Sequence, residues 1–250
     1  MKIGLIGFGK TGKAVASVIL QHDRHTLAWV FKESSLLHGR NTAEFLGLES
    51  DSDATIFSAK SVAIETLLDQ YPVDVLIDFS SEKSIENYGP HAAERKIIIV
   101  SAVSHYGERQ QELLKQLAEK TVVFWSPNIT LGVNYLLFAA KFLQKIAPWV
   151  DIEINEEHFK EKKGVSGTAL KIAEELDLEK DEINSVRAGG IVGKHEVIFG
   201  FPFQTVRLVH ESISREAFGN GVLFAVENLK HKKPGLYHYE DILEPYFSLQ

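Results

Sequence analysis

The sequence contains no cysteine. That excludes a disulfide scaffold, a thiolate zinc site, an iron–sulfur cluster and a cysteine nucleophile together, and it fits a reducing compartment. A basic excess is also missing: 27 Lys and Arg stand against 34 Asp and Glu, a formal charge of −7. With no stripe of basic and aromatic residues either, a nucleic-acid partner is not expected. No apolar run approaches the roughly eighteen residues of a membrane span, so no membrane partner is expected. The ten histidines show no ligand spacing such as H-E-x-x-H, and no metal site is expected. Internal repeats and low-complexity tracts are absent. The opening apolar run, residues 3–6, is short for a secretion signal and meets a turn at Gly7 without a small-residue cleavage site. The expected location is the cytoplasm.

What is present is an average globular composition, 44% hydrophobic and 24% charged, over 250 residues. That length suits one large domain or two modest ones and can bury roughly 70–75% of the unfolded surface. Apolar runs at 3–6, 27–31, 73–79, 96–100 and 121–125 read as strands. Helical spacing appears at 12–21 and near 60–70, 82–95 and 107–119. Fully apolar strands alternating with amphipathic helices predict a parallel sheet covered on both faces. After Pro127 the pattern changes. Helices are expected at 133–147, 167–176 and 214–230, and strands at 151–155, 184–187, 194–200 and 204–211, with few helices between the later strands. The reading is α/β: a Rossmann-type domain over 1–126, a smaller α+β domain with a mixed sheet over 127–220, and a tail, 221–250, packing back on the first.

Gly7-Phe8-Gly9-Lys10-Thr11-Gly12 matches G-x-G-x-x-G, with a strand before it and a helix after it. Gly7 suits the tight turn, Gly9 lets backbone approach a pyrophosphate, and Gly12 lets the helix pack on the strand. The amides of the helix start then face the anion. A nicotinamide dinucleotide, NADPH or NADH, is the expected cofactor. At the end of the second strand Lys32 is the first charged residue, followed by Glu33, Ser34 and Ser35. A lysine among hydroxyls suits the 2′-phosphate of NADP, while NAD stays open. Residues 78–81, with Phe79 and Ser80, and 101–106, with Ser101 and Val103, should lie beyond the carboxyl ends of the strands, where such sheets bind ligands. The plainer role for Asp78 is to stabilise the next helical turn.

The richest segment is 153–169. Ser166-Gly167-Thr168 offers two hydroxyls and successive amides at a helix start, an anion cradle suited to a carboxylate. Lys162 or Lys163 supplies a cation. His158 can exchange a proton near neutral pH. A small anionic substrate that is protonated during the reaction would use all three. The plainer reading is a surface histidine beside an ordinary Ser N-cap.

In order, these motifs resemble the 4-hydroxy-tetrahydrodipicolinate reductase (dihydrodipicolinate reductase) family over nearly the whole chain. Asp78-Phe79-Ser80 resembles its D-F-S. Residues 126–134 resemble [AS]-x-N-x-S-x-G-V-N. Residues 153–169 resemble E-x-x-E-x-H-H-x-x-K-x-D-A-P-S-G-T-A. Residues 187–199 resemble R-x-G-x-x-x-G-x-H-x-V-x-F, and 210–221 resemble H-x-A-x-S-R-x-x-F-x-x-G. The resemblance implies an NAD(P)H-dependent reductase of lysine and diaminopimelate biosynthesis, two domains and a homotetramer. It implies that His158 is the proton donor and Lys162 its assisting lysine. Ser166, Gly167 and Thr168 become carboxylate ligands, and Ser126 and Asn128 join the cofactor contacts. Three positions depart from the pattern. Phe159 replaces the second histidine, Lys163-Gly164-Val165 is one residue short of x-D-A-P, and Ser101-Ala102-Val103-Ser104 stands for G-T-T-G. A paralogous dehydrogenase acting on another amino-acid-like imine, amine or carbonyl, or a nicotinamide-binding sensor without turnover, fits the same residues.

Overall fold

Short apolar strands alternate with helices through the first half of the chain, as their periods predict. The structure, a computed structural model, describes residues 1–247. The order is β1 (Lys2–Ile6), α1 (Lys10–Leu20), β2 (Thr26–Lys32), α2 (Thr42–Leu46), β3 (Thr55–Ser58), α3 (Ile64–Gln70), β4 (Val75–Asp78), α4 (Ser84–Glu94), β5 (Ile98–Ser101), α5 (Glu108–Ala118) and β6 (Val122–Trp125). Then follow α6 (Leu131–Ile146), β7 (Asp151–His158), α7 (Gly167–Glu175), β8 (Ile183–Arg187), β9 (Gly193–Phe201), β10 (Gln204–Ser212), α8 (Glu216–Leu229), β11 (Gly235–Tyr237) and α9 (Tyr239–Phe247).

Two compact units result, Met1–Thr130 with the chain from Phe218 onward, and Leu131–Ala217. The divisions expected at 126/127 and 220/221 thus fall at 130/131 and 217/218. The Tyr239 hydroxyl lies 2.9 Å from the Ile129 carbonyl and 2.8 Å from that of Gly221, and these bonds keep both approaches within the first unit.

The first unit holds a seven-stranded parallel sheet in the order β11-β6-β5-β4-β1-β2-β3. Every position of β4 and β5 is buried, as a sheet covered on both faces requires. The order reverses direction at β1, flanked by β4 and β2, so loops after these strands converge on one edge. The second unit holds four strands in the order β10-β9-β7-β8, parallel only between β7 and β8. Its core joins Ile154, Val197 and Phe199 of the sheet to Leu136 and Ala140 of α6 and Ile172 and Ala173 of α7. Fold class therefore agrees with the sequence reading. Four of these elements were not expected: the four-residue β3 and the five-residue α2, both in a polar stretch too short to show a period, and β11 and α9 in the tail. The tail adds β11 in parallel to β6.

The turn from β1 to α1 is sterically tight. Gly7 has φ +93°, and a Cβ on Gly12 would stand 2.1 Å from the Gly7 carbonyl oxygen. Gly12→Ala should therefore destabilise the chain by about 1–3 kcal/mol or more, despite alanine's better helix propensity. Gly9→Ala, with nothing within 4 Å of the new methyl, should leave stability within about 0.5 kcal/mol. Urea denaturation of both variants checks the contrast, and equal midpoints would refute it.

Candidate active site

In the first unit the residues expected at the cofactor gather at one edge of the sheet. Gly9 offers α1 no side-chain cap, and the first helical bond runs from the Lys13 amide to the Gly9 carbonyl at 3.0 Å. The amides of Lys10, Thr11 and Gly12 therefore point off the helix end, beside open space at Gly9. This cradle fits a pyrophosphate. Phe8 is buried with its ring against Phe45, so it offers backbone only. Gly7 packs on the backbone of Phe79 and Ser80: a Cβ there would lie 2.7 Å from the Phe79 carbonyl. Ser101 ends β5 and is buried, as is Val103 after it. The Ser126 amide donates to the Ser101 carbonyl at 3.0 Å, and the Ser126 hydroxyl to the Asn128 carbonyl at 2.7 Å. Lys32 ends β2, and its ammonium donates to the Leu36 carbonyl at 3.1 Å. Two of its three donors remain for a phosphate.

In the second unit the strand period decides which groups meet. Residues 152, 154, 156 and 158 of β7 share the buried face, which places Glu156 beside His158. Glu156 has no exposed surface. One carboxylate oxygen bonds His158 Nδ1. The other accepts from the Ser185 hydroxyl at 2.6 Å and from the Arg187 guanidinium. Arg187 also donates to the carbonyls of Lys162, at 3.2 Å, and Gly164, at 2.6 Å. It thereby ties the 159–165 connection to the sheet. Burial pushes the Glu156 carboxyl up, but the bonds from Arg187, Ser185 and His158 outweigh it and hold it at about 2. The opposite balance acts on His158. Burial lowers its pKa, Glu156 raises it, and the charges of Lys162 and Arg187 lower it again, leaving it below the ordinary value. With Nδ1 on the carboxylate, the neutral ring keeps Nε2 as its acceptor.

His195 lies across from Glu156 on β9, its ring edge-on to His158 at 5.3 Å between centroids. Its Nε2 is 2.9 Å from the Ser166 hydroxyl, which also accepts the Ala169 amide at 3.0 Å as N-cap of α7. Burial, with His158 and His210 adding to it, pushes His195 down to about 3. It is neutral throughout the physiological range. Ser166 is buried, Gly167 exposed and Thr168 half-buried. The Ser166 hydroxyl is thus already committed, and the outward groups of this helix start are those of Gly167 and Thr168. Phe159, in place of a second histidine, is exposed.

Family models for the dihydrodipicolinate reductase N-terminus and C-terminus match residues 1–129 and 129–243. The chain belongs to the dihydrodipicolinate reductase family. A 4-hydroxy-tetrahydrodipicolinate reductase of Bdellovibrio bacteriovorus is 31% identical over 97% of this chain and 96% of its own length. One of Caldanaerobacter subterraneus is 37% identical over 68% of this chain and 77% of its own. A dipicolinate-bound dihydrodipicolinate reductase from Paenisporosarcina sp. TG-14 superposes with a TM-score of 0.79 at 21% identity, covering 96% of this chain and 98% of that one. That likeness concerns the fold.

The site also holds residues the sequence reading left without a role: Glu156, Arg187 and His195, which lie within the family's motifs, and Ser185, which lies in none of them. The strand expected at 151–155 stopped short of both Glu156 and His158; carried on to 158, as the structure has it, its period of two pairs them. Arg187 and His195 are non-local and gave no such signal. Among the described residues no cluster of His, Asp and Glu could hold a metal ion, and no helix is long and apolar enough to cross a membrane.

His195 makes a signed prediction. It titrates near 6.5 when unfolded and near 3 when folded, so below pH 6.5 protons bind the unfolded chain preferentially. Stability present above that pH is lost on acidification, by about 2 kcal/mol between roughly pH 7.5 and pH 5 for this one group. Urea unfolding of wild type and His195→Gln at both pH values should show the variant losing about 2 kcal/mol less. Identical losses would exclude His195 as the source.

Proposed function

We propose that this chain reduces 4-hydroxy-tetrahydrodipicolinate, or its dehydrated form dihydrodipicolinate, to tetrahydrodipicolinate, with NADPH or NADH as reductant. The observation that carries the reading is the Glu156–His158 pair on the same buried face as His195, whose partner Ser166 starts α7. Proton donor and carboxylate cradle are thus parts of one packed arrangement. The open glycine cradle at Gly9 supports the dinucleotide.

When bound, the reduced nicotinamide supplies the hydride. The amides of Lys10–Gly12 hold the pyrophosphate. Lys32 is placed to favour a 2′-phosphate, which supports NADP over NAD. The outward amides of Gly167 and Thr168 receive one carboxylate of the cyclic dicarboxylate, and Lys162 offsets the second negative charge. His158 starts neutral. Two carboxylates arriving near it oppose the lowering by Lys162 and Arg187, so proton uptake at Nε2 becomes easier as substrate binds. Nε2 then gives that proton to the ring position left electron-rich by hydride addition. Glu156 keeps Nδ1 protonated and the ring in place.

The chain is further read as a cytoplasmic homotetramer that takes a small anionic substrate and has neither nucleic-acid nor membrane partners. The −7 charge supports the last two points. Val186 and Val209, 47% and 53% exposed on β8 and β10, support an assembly contact. Sedimentation should give about four times the monomer mass.

The assay generates the substrate in situ with its synthase and follows loss of nicotinamide absorbance. No turnover with either cofactor would end the proposal. His158→Gln should lower kcat about a hundredfold or more with dinucleotide binding unchanged. Glu156→Gln should lower kcat and move the histidine ionisation in the kcat–pH profile downward, because the carboxylate raises that pKa. A profile left unmoved would reduce Glu156 to a packing role.

A further inference from the structure

Asp78 closes β4 with no exposed surface and no cation among the groups acting on it. One oxygen accepts from the Ser80 amide at 2.8 Å and the Ser80 hydroxyl at 2.5 Å. The other accepts from the Tyr88 hydroxyl of α4 at 2.9 Å. Ser101 pairs with Asp78 across β5 and β4, and its hydroxyl lies 2.8 Å from that of Tyr106. Ser101 also accepts from the Val103 amide at 3.3 Å. Two hydrogen-bonded groups thus stand at paired strand ends, Ser80 and Tyr88 on Asp78, and Tyr106 and Val103 on Ser101. Together they span both loops, after β4 and after β5, that carry Phe79, Ser80, Ser101 and Val103. They occupy the place where Ser101-Ala102-Val103-Ser104 lacks the family's threonines.

We propose that Asp78, Tyr88 and Tyr106 are positioning residues for the nicotinamide end of the cofactor, fixing the loops after β4 and β5 through two hydrogen-bonded groups at paired strand ends. The proposal rests on the dinucleotide reading above. The titratable groups facing Asp78 are Tyr88 and Tyr106, both with hydroxyls pushed well above their ordinary pKa, chiefly by burial and then by the Asp78 charge. Only neutral donors hold the carboxyl, so burial lifts it to about 6, against the pull of Ser80 and Tyr88. Protonating Asp78 removes the charge that accepts from Ser80 and Tyr88 and so loosens the loop after β4. The ionised form is the one that holds that loop.

The test compares NAD+ with ADP-ribose, which shares the pyrophosphate cradle and lacks the nicotinamide, by calorimetry on the full chain from pH 5 to pH 8. The 2′-phosphorylated pair serves equally, and the ratio of affinities cancels ionisation of the phosphates. Wild type should lose dinucleotide affinity below about pH 6 while ADP-ribose affinity stays level. Tyr106→Phe should weaken NAD+ binding about three- to tenfold at pH 8, the effect of one hydrogen bond, and leave ADP-ribose unchanged. Tyr88→Phe should do the same. Asp78→Asn should abolish the break near pH 6. Equal weakening of both ligands, or no weakening of either, would overturn the proposal while leaving the cofactor reading intact. A wild-type chain that binds neither dinucleotide would overturn both.

Discussion

A buried carboxylate can survive in the sheet of the second unit only because its oxygens are bonded on both sides, and the candidate site is built around that constraint. Removing one partner of such an ion pair leaves the other charge uncompensated, at a cost of about 3–5 kcal/mol. Glu156 therefore dictates Arg187, and Arg187 in turn holds the Lys162 and Gly164 carbonyls. The connection that carries the lysine is thus tied to the same anchor as the histidine. The positions of His158 and Lys162 are two consequences of one desolvated charge.

Asp78 is the informative contrast. Both carboxylates are fully buried at the carboxyl end of a strand, yet one is held at about 2 and the other lifted to about 6. The difference is the partner set. Glu156 faces a guanidinium, a hydroxyl and an imidazole, whereas Asp78 faces an amide and hydroxyls. Full cationic compensation makes the first insensitive to pH above the acid range. Neutral donors leave the second near the edge of the physiological window. Such divergence between two carboxyls of one chain suits a permanent structural charge in one case and a responsive one in the other.

The fold was legible wherever a period could develop. The apolar runs that form β4 and β5 announced a doubly covered sheet, whereas the strand expected at 151–155 runs on to His158, and it is that extension that sets Glu156 and His158 on one face. β3 and α2 escaped because four or five residues in a polar stretch carry no period that separates strand, helix and loop. The glycine turn was legible because each glycine answers a distinct steric demand that the geometry bears out at Gly7 and Gly12. The bonds of Tyr88 to Asp78 and of Tyr106 to Ser101 were not, since no period links a strand end to a side chain in or beyond the next loop. His195 and Arg187 belong to the same class: their partners lie about 30 residues away in sequence, at separations of 29 and 31.

The departures from the family pattern acquire a physical reading in this light. The one-residue deletion before Val165 forces a tighter path from Lys162 to α7. Gly164 supplies it at φ +65°, a conformation other residues adopt at a cost, and Arg187 satisfies its carbonyl. The deletion is therefore absorbed locally and leaves the N-cap at Ser166 intact, with its hydroxyl already shared between the Ala169 amide and His195. A hydroxyl so committed adds little to a carboxylate, so in the proposed reading recognition at this helix start would fall on the amides of Gly167 and Thr168. Amides fixed by a helix need no side chain to be preserved, and they recognise charge and shape without regard to what flanks them. Phe159 and the altered 101–104 loop change the surroundings of the site, while His158 and Lys162, to which the proposal gives the proton and the charge, stay anchored to Glu156 directly and through Arg187.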